Sequence, residues 1–441
     1  MNAEEIIRKK RNGDELSQKE IDWFIKGMAS GKVADYQIGA WAMAVYFKGM
    51  TPEETSNLAL AMANSGEIVD LSSISGIKVD KHSTGGVGDK TTPVVVPIVA
   101  AAGVPVPKMS GRGLGFTGGT VDKFESIPGF KSEMKRKDFL SQVTRIKAAV
   151  LSQSENLVPA DKKLYAIRDL TATVDSIPLI ASSVMSKKIA SGADAILLDV
   201  KVGKGAFMKD LPQAIELAER MVDIGRSAGR KVVAVLTSME QPLGYAIGNA
   251  LEIREAVRTL KGQGPEDLEE ICLLLAAHML VLGGASHDVG RGLKKARQIL
   301  ESGQGYDKFC ELVAAQGGQV NTLEHIIQVQ AATLQVVVKS PETGFITSVD
   351  TEEVGRLAMM LGAGRESADD RIDPAVGMCL YKKPGDTVEK NEPLAMIHAN
   401  DPYKLEIVRD RLLNSFEIGE EKPEPSKLVL GIVSEEGTQL M

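Results

Sequence analysis

Positions 81–92 read Lys-His-Ser-Thr-Gly-Gly-Val-Gly-Asp-Lys-Thr-Thr, bringing a base, an imidazole, hydroxyls and three glycines into one short stretch. Residues 77–79 before it read as a strand, and the apolar run 93–102 after it reads as a helix. A loop of this kind turns backbone N–H groups toward an anion, and the helix N-terminus behind it adds partial positive charge. Glycine lets the backbone approach a ligand closely and take positive φ at little cost. Phosphate is the expected guest. The loop is not a Walker A motif, because Asp89 separates Gly88 from Lys90 where Gly-Lys-Ser/Thr is required. Downstream, residues 113–118 spell G-x-G-x-x-G, but Pro105 and Pro107 demote the segment before them to an edge strand or loop, unlike a dinucleotide fingerprint. The signal comes from the two glycine-rich loops together, each behind a short apolar segment.

Composition narrows the classes. The chain has 441 residues, 43% of them hydrophobic, and a formal net charge of −7; its pI is near 5.5. The general attraction that nucleic-acid binders use is therefore missing, and a phosphate site must be a local basic pocket in an acidic surface. Cys272, Cys310 and Cys379 are far apart and odd in number, so they form neither a zinc spacing nor a disulfide framework. The first residues carry charge rather than an apolar signal core, and the longest apolar stretch, 93–107, is too short and too rich in proline to span a bilayer. A soluble cytoplasmic protein without a membrane or nucleic-acid partner is expected.

The elements that must position these loops are legible in outline. The first 65 residues are helical: Ser17-Gln18-Lys19-Glu20 is a capping box, and Thr51-Pro52-Glu53-Glu54 starts another helix that Gly66 ends. From about Gly76, short apolar strands alternate with helices; 195–200 and 231–236 read as buried parallel strands. Helical character returns at 161–168 and 182–190, which complete the small helical domain, and again at 251–261 and 267–282. The expected fold is α/β with α+β character. Residues 1–65 and 161–190 form a small α domain, 70–160 and 191–335 a large mixed α/β domain, and 336–441 a C-terminal region, with the ligand cleft between the first two. In the last region, 344–349 and 385–394 resemble the two halves of a biotinyl-lipoyl β-barrel sandwich. No Met-Lys-Met signal lies between them, so a structural appendage is expected rather than a carrier.

With these pieces in place, the chain resembles the pyrimidine-nucleoside phosphorylases over almost its whole length. The motifs that carry the resemblance are Lys-His-Ser-Thr-Gly-Gly-Val-Gly-Asp at 81–89, Ser-Gly-Arg-Gly-Leu-Gly at 110–115, Thr-Gly-Gly-Thr at 117–120 and Asp-Lys-Lys-Leu-Tyr-Ala at 161–166. Arg168-Asp169 and Ser-Ser-Val-Met-Ser-Lys-Lys at 182–188 complete the set. The resemblance implies a homodimer formed through the helical part, acting on a pyrimidine nucleoside and inorganic phosphate without an organic cofactor. It implies that Lys81, His82, Ser83, Thr92, Lys108, Met109, Ser110 and Thr120 surround phosphate. It also implies that Arg168, Ser183 and Lys187 grip the base while His82 donates toward the pyrimidine O2. Taken by type alone, the Lys187-Lys188 pair is a solvated face, and His278, His287, His325 and His398 are structural or surface residues.

The resemblance further implies a monovalent cation, usually potassium, held by Gly88, position 90, Leu243, Ala246 and Glu255. Two departures stand out. Position 90, often threonine, is Lys90, whose ammonium could compete with the ion; position 116, commonly histidine, is Phe116. Two rival readings remain. An anthranilate-type phosphoribosyltransferase would need a magnesium-binding acidic pair, for which only Asp369-Asp370 offers itself. A non-catalytic nucleotide-binding or biotinyl-type carrier would need an exposed modifiable lysine.

Overall fold

The computed structural model describes residues 1–441 apart from Leu114, Thr117, Glu155, Ala368 and Asp369. The glycine motif at 113–118, the stretches 110–115 and 117–120, and the Asp369-Asp370 pair therefore each fall partly outside the described residues.

Four helices open the chain: α1 (Ala3–Asn12), α2 (Gln18–Ala29), α3 (Asp35–Lys48) and α4 (Pro52–Ala63). The cap of α4 is reciprocal, with Thr51 N–H donating to Glu54 Oε2 at 2.9 Å and Glu54 N–H donating to Thr51 Oγ1 at 3.2 Å. At α2 the capping-box pair Ser17 and Glu20 also meets, with Ser17 donating both its N–H and its hydroxyl to Glu20 Oε2, each at 2.7 Å.

The alternating region follows as β1 (Val79–Ser83), α5 (Thr91–Ala101), β2 (Val106–Ser110), α6 (Thr120–Glu125), α7 (Arg136–Ile146) and β3 (Ala148–Ser152). Then come α8 (Pro159–Leu170), α9 (Ile177–Ala190), β4 (Ala195–Val202), α10 (Leu211–Ser227), β5 (Lys231–Ser238), β6 (Ala246–Ile247), α11 (Asn249–Leu260) and α12 (Glu266–Leu282). Strand β1 lies later than expected. Its parallel pairing with β4, from Val79 opposite Ala195 to Ser83 opposite Asp199, takes up the backbone of Lys81, His82 and Ser83. These residues, read as loop from sequence, are strand residues whose side chains alternate between the two faces.

Strands β1, β4 and β5 are parallel and sandwiched. Ile196, Leu198 and Val200 join a core with Phe24, Trp41, Leu58, Leu164 and Met185. On the other face Ala195, Leu197 and Val235 meet Val95, Ile253 and Met279. Helices α8 and α9 thus share the first core with α1–α4, where Phe24 and Trp41 stack with centroids 5.1 Å apart. Strands β2 and β3 form a separate parallel pair, which begins beside β1 through the Val79 N–H bond to the Pro105 carbonyl.

The C-terminal part holds α13 (Val289–Glu301), α14 (Gln304–Ala315), α15 (Ile326–Val329), β7 (Leu334–Lys339), β8 (Gly344–Val349) and α16 (Thr351–Ala358). It ends with β9 (Gly377–Leu380), β10 (Thr387–Val388), β11 (Pro393–Ala399), α17 (Pro402–Asn414), β12 (Phe416–Gly419), β13 (Val429–Ser434) and β14 (Gly437–Leu440). Among the described residues its strands make two antiparallel sheets, β10-β8-β12 and β6-β9-β11-β7, and not one closed barrel. The chain end returns to the main sheet, where β13 lies antiparallel on β5. Strand β6 stitches the segment carrying Leu243 and Ala246 into the C-terminal sheet. No helix among the described residues is long and apolar enough to cross a membrane.

Candidate active site

Strand alternation divides the charges of β1. Lys81 is fully buried, with its Nζ 2.5 Å from Thr91 Oγ1 and 3.2 Å from Asp199 Oδ2. Thr91 donates to Asp89 Oδ1 at 2.7 Å, and Ser83 bonds the other carboxylate oxygen. Burial opposes the charge on Asp89, but Lys81, Lys201 and Lys123 outweigh it and hold the carboxyl well below its usual range. Lys201 reaches Asp199 Oδ2 at 3.0 Å, and Thr237 donates to Asp199 Oδ1 at 2.7 Å. The loop is thus fixed by a buried layer of alternating charge before any ligand arrives.

Asp80 and His82 lie on the opposite face of β1 from Lys81. Lys188 of α9 reaches Asp80 Oδ2 at 2.7 Å and the Met109 carbonyl at 2.8 Å. Lys108 of β2 lies 3.2 Å from the same carbonyl and 4.0 Å from Asp80 Oδ1. Burial, then the fields of Lys188, Lys108, Lys81 and Lys187, push the His82 imidazole well below its ordinary pKa. The ring is therefore neutral at physiological pH. Burial, and after it Lys188, likewise lowers Lys108 well below the lysine range. Lys108 and Lys188 gather around buried Asp80 on the His82 face of β1, while Lys81 pairs with Asp199 on the strand's other face and Lys187 with buried Asp161. The summed field of these lysines at His82 is positive and suits an anion.

Ser183 and Lys187, one turn apart on α9, meet as the spacing predicts, Lys187 Nζ donating to Ser183 Oγ at 2.9 Å. Lys187 also pairs with Asp161 Oδ2 of α8 at 2.5 Å. A cavity of about 430 Å³ opens here, lined by Gly111, Arg112, Asp161, Tyr165 and Lys187 among others. Arg168 stands differently. It is buried, and its guanidinium donates to the carbonyls of Thr173 at 3.2 Å, Leu179 at 3.1 Å and Val174. Three of its five donors thus hold the turn before α9 and the first turn of α9 itself. Thr92 is buried on α5, Ser110 ends β2, and Thr120 starts α6, each half a turn or less from a loop.

The second glycine loop is tied to the first by Lys123. Its ammonium donates to the Asp89 carbonyl at 2.7 Å and the Gly118 carbonyl at 3.2 Å, and pairs with Glu252 Oε2 at 3.0 Å. From the C-terminal part, Arg365 reaches the Gly113 carbonyl at 3.2 Å and Asp122 Oδ1 at 2.9 Å. The Phe116 ring lies against Gly355 and carries Lys209 Nζ 5.7 Å from its centroid.

At the expected cation position the geometry is specific. Lys90 is fully buried, and its Nζ lies 2.7 Å from the Leu243 carbonyl, 2.6 Å from the Ala246 carbonyl and 2.7 Å from Glu255 Oε2. Gly88 has φ +73°, and a Cβ there would stand 2.7 Å from the Leu243 carbonyl and 3.3 Å from this ammonium. The oxygens implied as potassium ligands are those the ammonium already occupies, so the residues present do not fit an added ion.

Sequence reasoning passed over Asp80, Lys123, Lys188, Asp199, Lys201 and Glu252. The signal for the strand residues was available, because Asp199 and Lys201 interrupt an otherwise apolar parallel strand, where unpaired charge is rarely buried. Lys188, read as part of a solvated pair, is buried.

Known proteins resemble this chain along nearly its whole length. Residues 4–66 match the helical bundle domain of a glycosyl transferase family, and 75–306 match its a/b domain. Residues 345–419 match the pyrimidine nucleoside phosphorylase C-terminal domain. The pyrimidine-nucleoside phosphorylase of Bacillus subtilis (strain 168) is 50% identical over 435 residues, covering 99% of this chain and 100% of the relative. That of Geobacillus stearothermophilus is 51% identical over 422 residues, covering 95% and 96%. The crystal structure of anthranilate phosphoribosyltransferase from Thermus thermophilus shares the fold with a TM-score of 0.59, at 19% identity, over 70% of this chain and 99% of that one. With half of its residues identical to these relatives along nearly its full length, the chain belongs to the pyrimidine-nucleoside phosphorylase family.

Proposed function

We propose that this protein catalyses the reversible phosphorolysis of pyrimidine nucleosides, uridine, thymidine and deoxyuridine among them, to free base and α-D-(2-deoxy)ribose 1-phosphate in nucleoside salvage. The observation that carries the reading is that Lys108 and Lys188 meet at Asp80 on the His82 face of β1, beside the glycine loop, while α9, which bears Lys188, also brings Ser183 and Lys187 together. Phosphate attacks C1′ as the C1′–N1 bond breaks, and the bonding pair leaves with the base. Positive charge grows on the sugar, negative charge on the pyrimidine oxygens. Lys108, Ser110, Thr120 and the 83–92 loop hold the attacking anion. Lys81, itself buried against Asp199 and Thr91, sets the loop and the local field. Lys187 and Ser183 meet one edge of the base, and the two donors of Arg168 not used by carbonyls serve its oxygens. A neutral His82 donates one N–H toward O2 as charge accumulates there.

The same reading takes 1–65 and 161–190 as the small domain that closes on the α/β domain, and the helical part as the dimer contact. It takes 344–349 and 385–394 as the two halves of a barrel-sandwich appendage; the antiparallel pairing of β10 with β8 supports this. Incubation with uridine in the presence and absence of inorganic phosphate tests the function, since base release must require phosphate and must not require magnesium.

A further inference from the structure

The Lys90 ammonium has three N–H donors and meets three acceptors, all between 2.6 and 2.7 Å. Those acceptors belong to different parts of the molecule. Lys90 itself ends the phosphate loop as the residue before α5. Leu243 and Ala246 lie on the segment that β6 joins to the C-terminal sheet. Glu255 projects from α11 and also accepts the N–H groups of Tyr245 and Ala246 at 3.1 Å. One turn earlier on α11, Glu252 receives Lys123 at 3.0 Å. A single helix face therefore carries two carboxylates three residues apart, each anchoring a lysine from the loop region.

A cavity of about 370 Å³ is lined by Ala246 and Glu255, which hold the ammonium, together with Tyr245, Arg254 and Cys379 among others. An ion approaching this seat finds its oxygens taken. It binds only by displacing the ammonium or by standing beside it against like-charge repulsion.

We propose that Lys90 is a built-in cation that joins the phosphate loop to α11 and the C-terminal sheet, so that this enzyme works without a bound alkali metal ion. Its role is one of positioning, because it contacts loop-holding groups and not the reacting atoms. The covalent tether replaces an equilibrium with free cations by a fixed charge.

The test compares the full-length protein in potassium chloride and in tetramethylammonium chloride at equal ionic strength, reading thermal midpoint and initial phosphorolysis rate. Wild type should show the same midpoint in both salts and rates within about twofold, far below the tenfold that corresponds to 1.4 kcal/mol. Lys90→Thr leaves the three oxygens free; in tetramethylammonium it should lose roughly tenfold or more in rate and fall in midpoint, and potassium should restore both saturably. Potassium activation of wild type by tenfold or so, or a saturable rise in its midpoint, overturns the proposal. Indifference of a folded Lys90→Thr to potassium overturns it as well. If that variant does not fold, the wild-type comparison alone still decides. The rate arm rests on the phosphorolysis reading, whereas the midpoint arm does not, so failure of one is distinguishable from failure of the other.

Discussion

Lys188 and Asp80 meet at 2.7 Å between α9 and β1, both buried, and so join the helix that carries Ser183 and Lys187 to the strand that carries His82. Removing one partner leaves the other charge buried alone, at a cost of about 3–5 kcal/mol. Lys188→Met should therefore lower the thermal midpoint strongly and raise the phosphate KM. Adding Asp80→Asn should restore part of the stability, so that the double variant loses less than the sum of the singles. Additive losses measured by denaturant unfolding would show that the pair does not act as a unit.

The two cationic residues proposed for the base site are both tied into the fold. Lys187→Ala should lower kcat/KM by roughly 10²–10³, as for one lost transition-state donor, and should also lower the midpoint, because it leaves buried Asp161 without its cation. Arg168→Ala should lower both activity and stability, since it also frees the carbonyls of Thr173, Val174 and Leu179. Near-native activity in Lys187→Ala would remove Lys187 from the base site.

His82 should remain neutral well below pH 6.5, because burial and the neighbouring lysines disfavour its charged form. In a histidine NMR titration assigned with His82→Ala, its ring should show no protonation step at the ordinary imidazole value of about 6.5. Lys108, depressed by burial and Lys188, should lose its proton before an ordinary lysine does, so phosphate KM should rise with pH ahead of the usual lysine range. A His82 titration at or above the ordinary value would contradict the electropositive pocket.

Buried His278 gives the acid side of the stability profile a specific contribution. Burial lowers its pKa to about 4 from the ordinary 6.5, so between these values the unfolded chain binds the extra proton. Stability is then full above pH 6.5 and falls as pH drops toward 4, by roughly 3 kcal/mol at about 1.36 kcal/mol per pH unit. His278→Gln should flatten that limb in pH-dependent denaturant unfolding; an unchanged slope would assign the acid loss to other groups.

Much of this was legible in the chain. Periodicity placed α12, β4 and β5 within two residues or so of their observed ends, and the residue types at 81–92 were by themselves enough to point to an anion. What periodicity could not supply was the pairing of β1 with β4, a contact more than a hundred residues away in sequence, which turns Lys81–Ser83 from loop into strand. The same limit hid Lys188 and Lys123, because a lysine's burial depends on a carboxylate or carbonyl that only the tertiary fold delivers. The departure at Lys90 was visible as a residue type, whereas its three-oxygen seat is a product of the tertiary fold.

The most direct measurement is phosphorolysis of uridine and thymidine side by side with inorganic phosphate, followed by ultraviolet difference. On the proposed reading Lys108 offers one donor near the sugar, and Phe116 offers none. Discrimination between ribose and deoxyribose should therefore be worth a single hydrogen bond, about 0.5–1.5 kcal/mol. Both nucleosides should release free base only when phosphate is present, with kcat/KM values within roughly tenfold of each other. Phe116→His should move their ratio by a few-fold and leave phosphate KM nearly unchanged. Base release independent of phosphate, or no release at all, would contradict phosphorolysis; a uridine value some thousandfold below thymidine would contradict the broad specificity.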